Sequence, residues 1–331
     1  MPTAQQSARF VDHLPADFDD VTLRADVRRG FAAVPKALPP RWFYDQIGSE
    51  LFEEITRLPE YYPTRCERQI LARYAGDIVR RCGASTLVEL GSGSSDKTRL
   101  LLDALTAGRR SARYLALDVS EAALRGAALG LARDHPDLDV TLVRADFETQ
   151  LGLLPPGAHR LVAFLGSTIG NLEPAPRARF LAAVRALLAP GEHFLLGADL
   201  VKPERILVPA YDDAAGVTAA FNLNVLAVLN RRLGADFDRS DFAHVAVWDP
   251  DREWIEMRLR ARRAVRVDVP RAQLEVTFAP GEELRTEISA KFRRESLTAE
   301  LQAAGFACAG WWTDDESLFS LSLWQAAAPR Q

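Results

Sequence analysis

The run LVELGSGSSDKTRLLLDAL, residues 87–105, sets Gly91, Gly93, Asp96 and Lys97 at the junction of a short apolar stretch and an amphipathic one. Glycines at such a junction permit a tight turn and close approach of the backbone to a ligand. A phosphate loop needs Gly-x-x-x-x-Gly-Lys-Ser/Thr; Gly91 and the Lys97-Thr98 pair fit, but Asp96 stands where the second glycine belongs. The dinucleotide pattern Gly-x-Gly-x-x-Gly fails at the same residue. Two further acids follow in step. Asp118 closes the apolar run YLAL, and Asp146 with Phe147 closes the run VTLVRA. A carboxylate at 118 can accept from both hydroxyls of a ribose. An acid at 146 can accept from an adenine amino group, and an aromatic ring at 147 can stack on the base. Each acid alone also reads as a loop cap, and the glycines alone as an ordinary turn. Such groups at the ends of successive runs argue together for one ligand.

These residues need elements to hold them. From 85 to 200 short apolar runs alternate with helical patterns: strands are expected at 86–90, 114–119, 139–146, 160–166 and 192–200, with helices after each of the first two and at 174–190. Ser120 is a plausible N-cap, and prolines bracket the last helix. Alternation of this kind predicts a parallel sheet covered on both faces, with ligands at the C-terminal strand ends. The pattern breaks after 200. A helical stretch, AAGVTAAFNLNVLAVLNRRLG, precedes β-like runs on either side of an Asp249-Pro250-Asp251 turn, and α/β character returns with SLTAELQAAGF and two terminal strands. The expected fold is α/β: a Rossmann-like domain from 66–200 and 291–331, interrupted by an α+β domain from 10–65 and 201–290.

What survives the two failed nucleotide patterns is Glu89-x-Gly91-x-Gly93, which resembles the signature of S-adenosylmethionine (SAM) methyltransferases. Lys97 is expected in the first turn of the helix that follows, where a cation opposes the helix dipole. Solvation would tolerate it there, and the methionine carboxylate of SAM would explain it better. A more specific likeness runs over nearly the whole chain. LPPRWFYDQIGSELFEEITRLPEYYPTR, ELGSGSSDKTRLLL, FLGSTIGNL and RTEISAKF resemble the L-histidine Nα-methyltransferase family of ergothioneine biosynthesis. That resemblance implies roles for particular residues. Gly91, Lys97, Asp118, Asp146 and Phe147 would hold SAM. Tyr61, Asn171 and Tyr211 would hold the amino and carboxylate end of histidine, with the backbone of Gly166 near the amine. Glu287 and Ser289 would recognise the imidazole, and Tyr44, Phe52 and Met257 would line the pocket. Tyr44, Tyr61 and Asn171 would stand nearest the chemistry, which would convert histidine to Nα,Nα,Nα-trimethylhistidine (hercynine).

Read without the resemblance, several of these residues have plainer accounts. Asn171 offers a donor and an acceptor, or merely turns the chain after Gly170. Tyr61 and Tyr211 read as half-core tyrosines. Glu287 and Ser289 are two apart in a strand-like run and so share a face. One anionic acceptor and one hydroxyl can satisfy both imidazole nitrogens, or the two can be an exposed polar face.

Composition bounds the rest. The chain has 331 residues, 48% hydrophobic and 26% charged, with a net charge of −4, which predicts a sizeable core and speaks against a nucleic-acid binder. Three scattered cysteines form no metal spacing and no disulfide framework, so no metal is expected. No N-terminal apolar stretch reads as a signal peptide, and no run reaches the ~18 apolar residues of a membrane span. The expectation is a monomeric cytoplasmic enzyme acting on a small molecule. Two rivals remain open: a SAM-dependent N-methyltransferase for another free amino acid or small amine, and a catalytically silent SAM-binding module.

Overall fold

The computed structural model describes residues 8–93, 97–107, 111–155 and 157–328. Asp96, the residue on which both nucleotide patterns fail, lies outside them. The chain divides into two compact units: Met1–Leu14, Cys66–Leu200 and Phe292–Gln331 form the first, Pro15–Arg65 and Val201–Lys291 the second.

The first unit is built on an eight-stranded sheet in the order Arg9–Asp12, Leu138–Arg144, Ala112–Asp118, Thr86–Leu90, Arg160–Phe164, His193–Asp199, Phe319–Ala326, Phe306–Thr313. Neighbours are parallel as far as His193–Asp199; the two last strands in the order pair antiparallel. The central strands TLVEL and RLVAF are buried along their whole length, as their near-continuous apolar runs require of strands covered on both faces. From Thr86–Leu90 the chain steps outward through two strands, then returns to Arg160–Phe164 on the other side. That reversal is the topological switch point of a Rossmann-like sheet, where the C-terminal strand ends diverge and leave a crevice. Ser120 caps the helix Glu121–Asp134 by accepting from the Ala123 N–H at 3.2 Å, and Pro174 opens the helix Pro174–Leu187.

Two expectations are corrected here. Residues 10–12, expected with the second unit, form with Arg9 a parallel edge strand beside Leu138–Arg144. Lys291, expected at the start of the resumed first unit, belongs to the second, where its side chain donates to Tyr211 and Ser289. In both cases long-range hydrogen bonds decide a boundary that local composition does not mark.

The second unit has a four-stranded sheet in the order Lys36–Ala37, Glu283–Ala290, Trp254–Ala261, Phe242–Asp249, and a two-stranded ribbon of Val265–Val269 with Leu274–Phe278. The helix Val217–Leu233 lies on the sheet, burying Phe221, Val225, Leu226 and Leu229. Gln46–Ile55 packs against that helix and is N-capped by Asp45, whose carboxylate accepts from the Gly48 N–H and from Asn224 Nδ2, both at 2.8 Å. Among the described residues no helix is long and apolar enough to cross a membrane, and no cluster of His, Cys, Asp and Glu could hold a metal ion.

Candidate functional site

The functional groups of the first unit gather at the switch point. Gly91 and Gly93 both take positive φ, +66° and +48°, which side chains rarely adopt. The turn is tied down from beside it: the Gly91 N–H donates to the Leu117 carbonyl at 2.8 Å, and the Gly93 N–H to Asp118 Oδ2 at 3.1 Å. Asp118 Oδ1 accepts from the Ser120 N–H at 2.9 Å. Burial raises the Asp118 carboxyl above its usual range, and these backbone donors pull it part of the way back. Among the described residues a Cβ built at Gly93 would meet nothing within 4 Å, and one at Gly91 only Phe147 Cε1 at 3.8 Å. Among them Phe147 is the side chain that borders the turn. Phe147 is held edge-on by Phe164 and Phe180, with ring centroids 5.2 and 5.8 Å away. Asp146, just before it, is buried and accepts from the Glu148 N–H at 2.8 Å.

Lys97 departs from expectation. It precedes the helix, which begins at Arg99, and its Nζ is ion-paired with Glu67, a carboxylate whose side chain is 0% exposed. Glu67 also accepts from the Gly166 N–H at 2.8 and 3.1 Å. A Cβ at Gly197 would lie 2.1 Å from Glu67 Oε1, so this mid-strand glycine makes room for the carboxylate. Glu67 thus brings Lys97 and Gly166 together. Nearby, Glu89 is buried, accepts from the Thr98 and Tyr114 hydroxyls, and is pushed up to about 7 by burial; the hydroxyls and Lys97 oppose that rise. Glu89 links the glycine strand to its neighbour and to the start of the next helix. Gly166 itself is exposed, and the turn Thr168–Asn171 follows it. Arg177 steadies that turn, donating to the Leu172 carbonyl at 3.0 Å while pairing with Glu300 at 2.7 and 2.8 Å.

In the second unit the four aromatic residues expected at the substrate side form one chain of ring contacts. Tyr44 meets Phe52 at 5.5 Å, Phe52 meets Tyr61 at 6.1 Å, and Tyr61 meets Tyr211 at 6.5 Å between centroids. Phe221, which sequence reasoning passed over, joins both Tyr44 and Phe52 at 5.6 and 6.0 Å. The Tyr211 hydroxyl faces Ser289 Oγ at 2.8 Å, and both accept from Lys291 Nζ at 2.7 Å.

Glu287 is aimed by a β-bulge. Strand pairing matches Arg285 with Arg258 and then Glu287 with Met257, so Thr286 is an extra residue. Without the bulge Glu287 would continue the face of Glu283 and Arg285, a polar ladder in which Arg258 pairs with Glu283 and with Glu256. With it, Glu287 and Ser289 join the face of Met257, Ile255 and Leu259, all at most 2% exposed. Thr286 stabilises the irregularity by donating to Asn222 Oδ1 at 2.7 Å and lying 3.0 Å from the Met257 carbonyl. On this register Glu287 leaves the polar ladder of Glu283 and Arg285 and is itself half-buried.

Asn222 Nδ2 also contacts His244 Nδ1 at 2.8 Å, and His244 Nε2 contacts the Tyr211 carbonyl at 2.8 Å. With an amide donor at Nδ1 and a carbonyl at Nε2, the ring satisfies both partners as the neutral tautomer protonated at Nε2. Burial depresses the His244 pKa from 6.5, against the pull of the Tyr211 carbonyl and nearby acids. A depressed pKa contributes stability that is present above 6.5 and is lost as pH falls through the folded value. Denaturant midpoints should therefore drop on acidification below 6.5, and His244→Gln should flatten that drop. An equally steep pH dependence in the variant would exclude His244 as a contributor.

Sequence reasoning missed Glu67, Lys291 and the Asn222–His244 pair. Only Lys291 carried a signal: it continues the two-residue spacing of Glu287 and Ser289. The profile of the family described as "Histidine-specific methyltransferase, SAM-dependent" matches residues 23–326. A histidine N-alpha-methyltransferase of Mycolicibacterium smegmatis is 55% identical over 314 residues, covering 95% of this chain and 98% of that one. Its namesake from Mycobacterium tuberculosis is 51% identical, covering 94% and 97%. An "Ergothioneine biosynthesis protein 1" of Schizosaccharomyces pombe is 31% identical over 70% of this chain, which spans 31% of that protein's length. With the profile and two relatives above half identity spanning nearly all of the sequence, the chain belongs to the SAM-dependent, histidine-specific methyltransferases.

Proposed function

We propose that the protein methylates the α-amino nitrogen of L-histidine three times, giving hercynine, the first step of ergothioneine biosynthesis. The observation that carries the substrate reading is the bulge before Glu287, which turns an anionic acceptor and the Ser289 hydroxyl onto a covered apolar face. An imidazole, with two ring nitrogens on an otherwise flat apolar ring, matches such a pair. The glycine turn at Gly91 and Gly93, rimmed by Asp118 and Phe147, fits an adenosyl group, and Lys97 supplies a cation for a carboxylate.

SAM supplies an electrophilic methyl on a sulfonium, so positive charge passes from sulfur to nitrogen and the total does not change. The protein is then asked mainly for orientation and exclusion of water. Tyr61, Asn171 and Tyr211 are assigned to the amino and carboxylate end, with the Gly166 backbone beside the amine. Tyr44, Phe52 and Met257 are assigned to the walls. The amine must shed a proton before each later transfer, to water directly or through Tyr44 or Tyr61.

The test is mass spectrometry of free histidine incubated with SAM and the purified protein. Successive addition of three methyl groups is the expected result, and peptides with internal histidine should be inert because they lack a free amine beside a free carboxylate. Unmodified histidine, with turnover of another amine, would favour the alternative of an N-methyltransferase for another amino acid or small amine.

A further inference from the structure

The helix Val217–Leu233 buries Phe221, Val225, Leu226 and Leu229, and among them stands Asn222, 0% exposed. On helix propensity and desolvation alone a leucine would suit that place better. The amide turns both of its polar atoms to the sheet. Nδ2 lies 2.8 Å from His244 Nδ1 and 3.1 Å from the Arg258 carbonyl, and Oδ1 lies 2.7 Å from Thr286 Oγ1. A carbonyl only accepts, so the end of the amide toward Arg258 is its NH2 end, and the orientation of the group is fixed. Its oxygen is left for the Thr286 hydroxyl, which donates to it. His244 pairs with Leu259 and so shares the face of Met257. The helix, the ring and the extra residue Thr286 therefore meet on one side of the sheet.

That side is also where the bulge puts Glu287. A bulge carries one residue too many, and a slip of one residue sends the side chains that follow to the opposite face. Here a slip would set Glu287 opposite Glu256, in the ion-pair ladder of Arg258 and Arg285. The bond to Asn222 pins Thr286 from outside the strand, on a helix held by its own apolar packing. We infer that Asn222 is a positioning residue for substrate recognition: by holding Thr286 it keeps Glu287 turned to the imidazole, and so sets the preference for histidine from the helix behind the site. The inference rests on the reading of Glu287 as the acceptor for the imidazole N–H.

The test is a double-mutant cycle between Asn222 and Glu287, read in kcat and KM for histidine and for tryptophan. Asn222→Leu should raise KM for histidine about tenfold with little change in kcat, and shrink the preference for histidine over tryptophan. SAM affinity should hold. In a Glu287→Ala background the same substitution should change neither quantity further, because the side chain it aims is gone. Thr286→Val removes only the hydroxyl that donates to Asn222. It should reproduce the loss by a smaller factor, which keeps the test available should Asn222→Leu fold poorly. Thr286→Ser keeps the hydroxyl and should keep the wild-type preference. A purely structural asparagine would lower the unfolding midpoint and leave the histidine-to-tryptophan ratio unmoved, or would lower kcat/KM equally with and without Glu287; either result overturns the inference. An unchanged ratio in Glu287→Ala itself would instead overturn the imidazole reading beneath it.

Discussion

Glu287→Ala should weaken histidine by about 1.5–3 kcal/mol, the scale of a hydrogen bond to a charged group, and leave SAM affinity nearly intact. The bulge makes this a sharp expectation. A glutamate on the Glu283–Arg285 face would sit in a ladder of half-exposed ion pairs with arginines already at hand, where truncation costs less. On the Met257 face it is a charged group among apolar neighbours, and a ring N–H is the partner proposed for it. Removing it should also erode specificity, since discrimination built on paired polar groups is a difference between affinities. Phenylalanine and tryptophan should fall behind histidine by a smaller factor than they do in the wild type. Ser289→Ala should show a milder version. Measuring kcat/KM for histidine and tryptophan in both proteins decides the matter: an unchanged ratio in a folded variant would remove Glu287 from imidazole recognition.

The bulge also marks how far the sequence could be read. Apolar runs ending in Asp118 and Asp146 were legible because burial on both faces and a polar terminus are local properties of a parallel strand. The face of Glu287 was not. Strict alternation puts Glu283, Arg285 and Glu287 together, and only the pairing with Trp254–Ala261 shows that Thr286 is extra. The edge strand Arg9–Asp12 was invisible for a related reason: it is too short to show a period, and its partner lies at 141–144. Glu67 reads as one polar residue on a helix, and its meaning comes from Lys97, Gly166 and Gly197, all distant in sequence.

Lys97→Met should cost both stability and SAM affinity, and the two losses can be separated. Glu67 has no exposed side-chain surface, and Glu89, also buried, is held down in part by the same lysine. Removing one member of a buried pair leaves an uncompensated charge, worth about 3 kcal/mol at the lower end of the usual range, the end chosen because the Lys97 side chain is 26% exposed. Glu67→Gln beside Lys97→Met should restore most of that stability. The amide keeps an acceptor for the Gly166 N–H and brings no charge needing an answer. Two accounts of Lys97 then diverge. A lysine that serves only Glu67 is dispensable once the charge is gone, so the double variant would bind SAM like the wild type. A lysine that also meets the methionine carboxylate is not replaced by the repair. On that account SAM affinity in the double variant stays about 1.5–3 kcal/mol below wild type, while adenosine, which has no carboxylate, binds equally to both. Calorimetry with the two ligands on the stable double variant reads the difference directly, and full recovery of SAM affinity would confine Lys97 to holding Glu67.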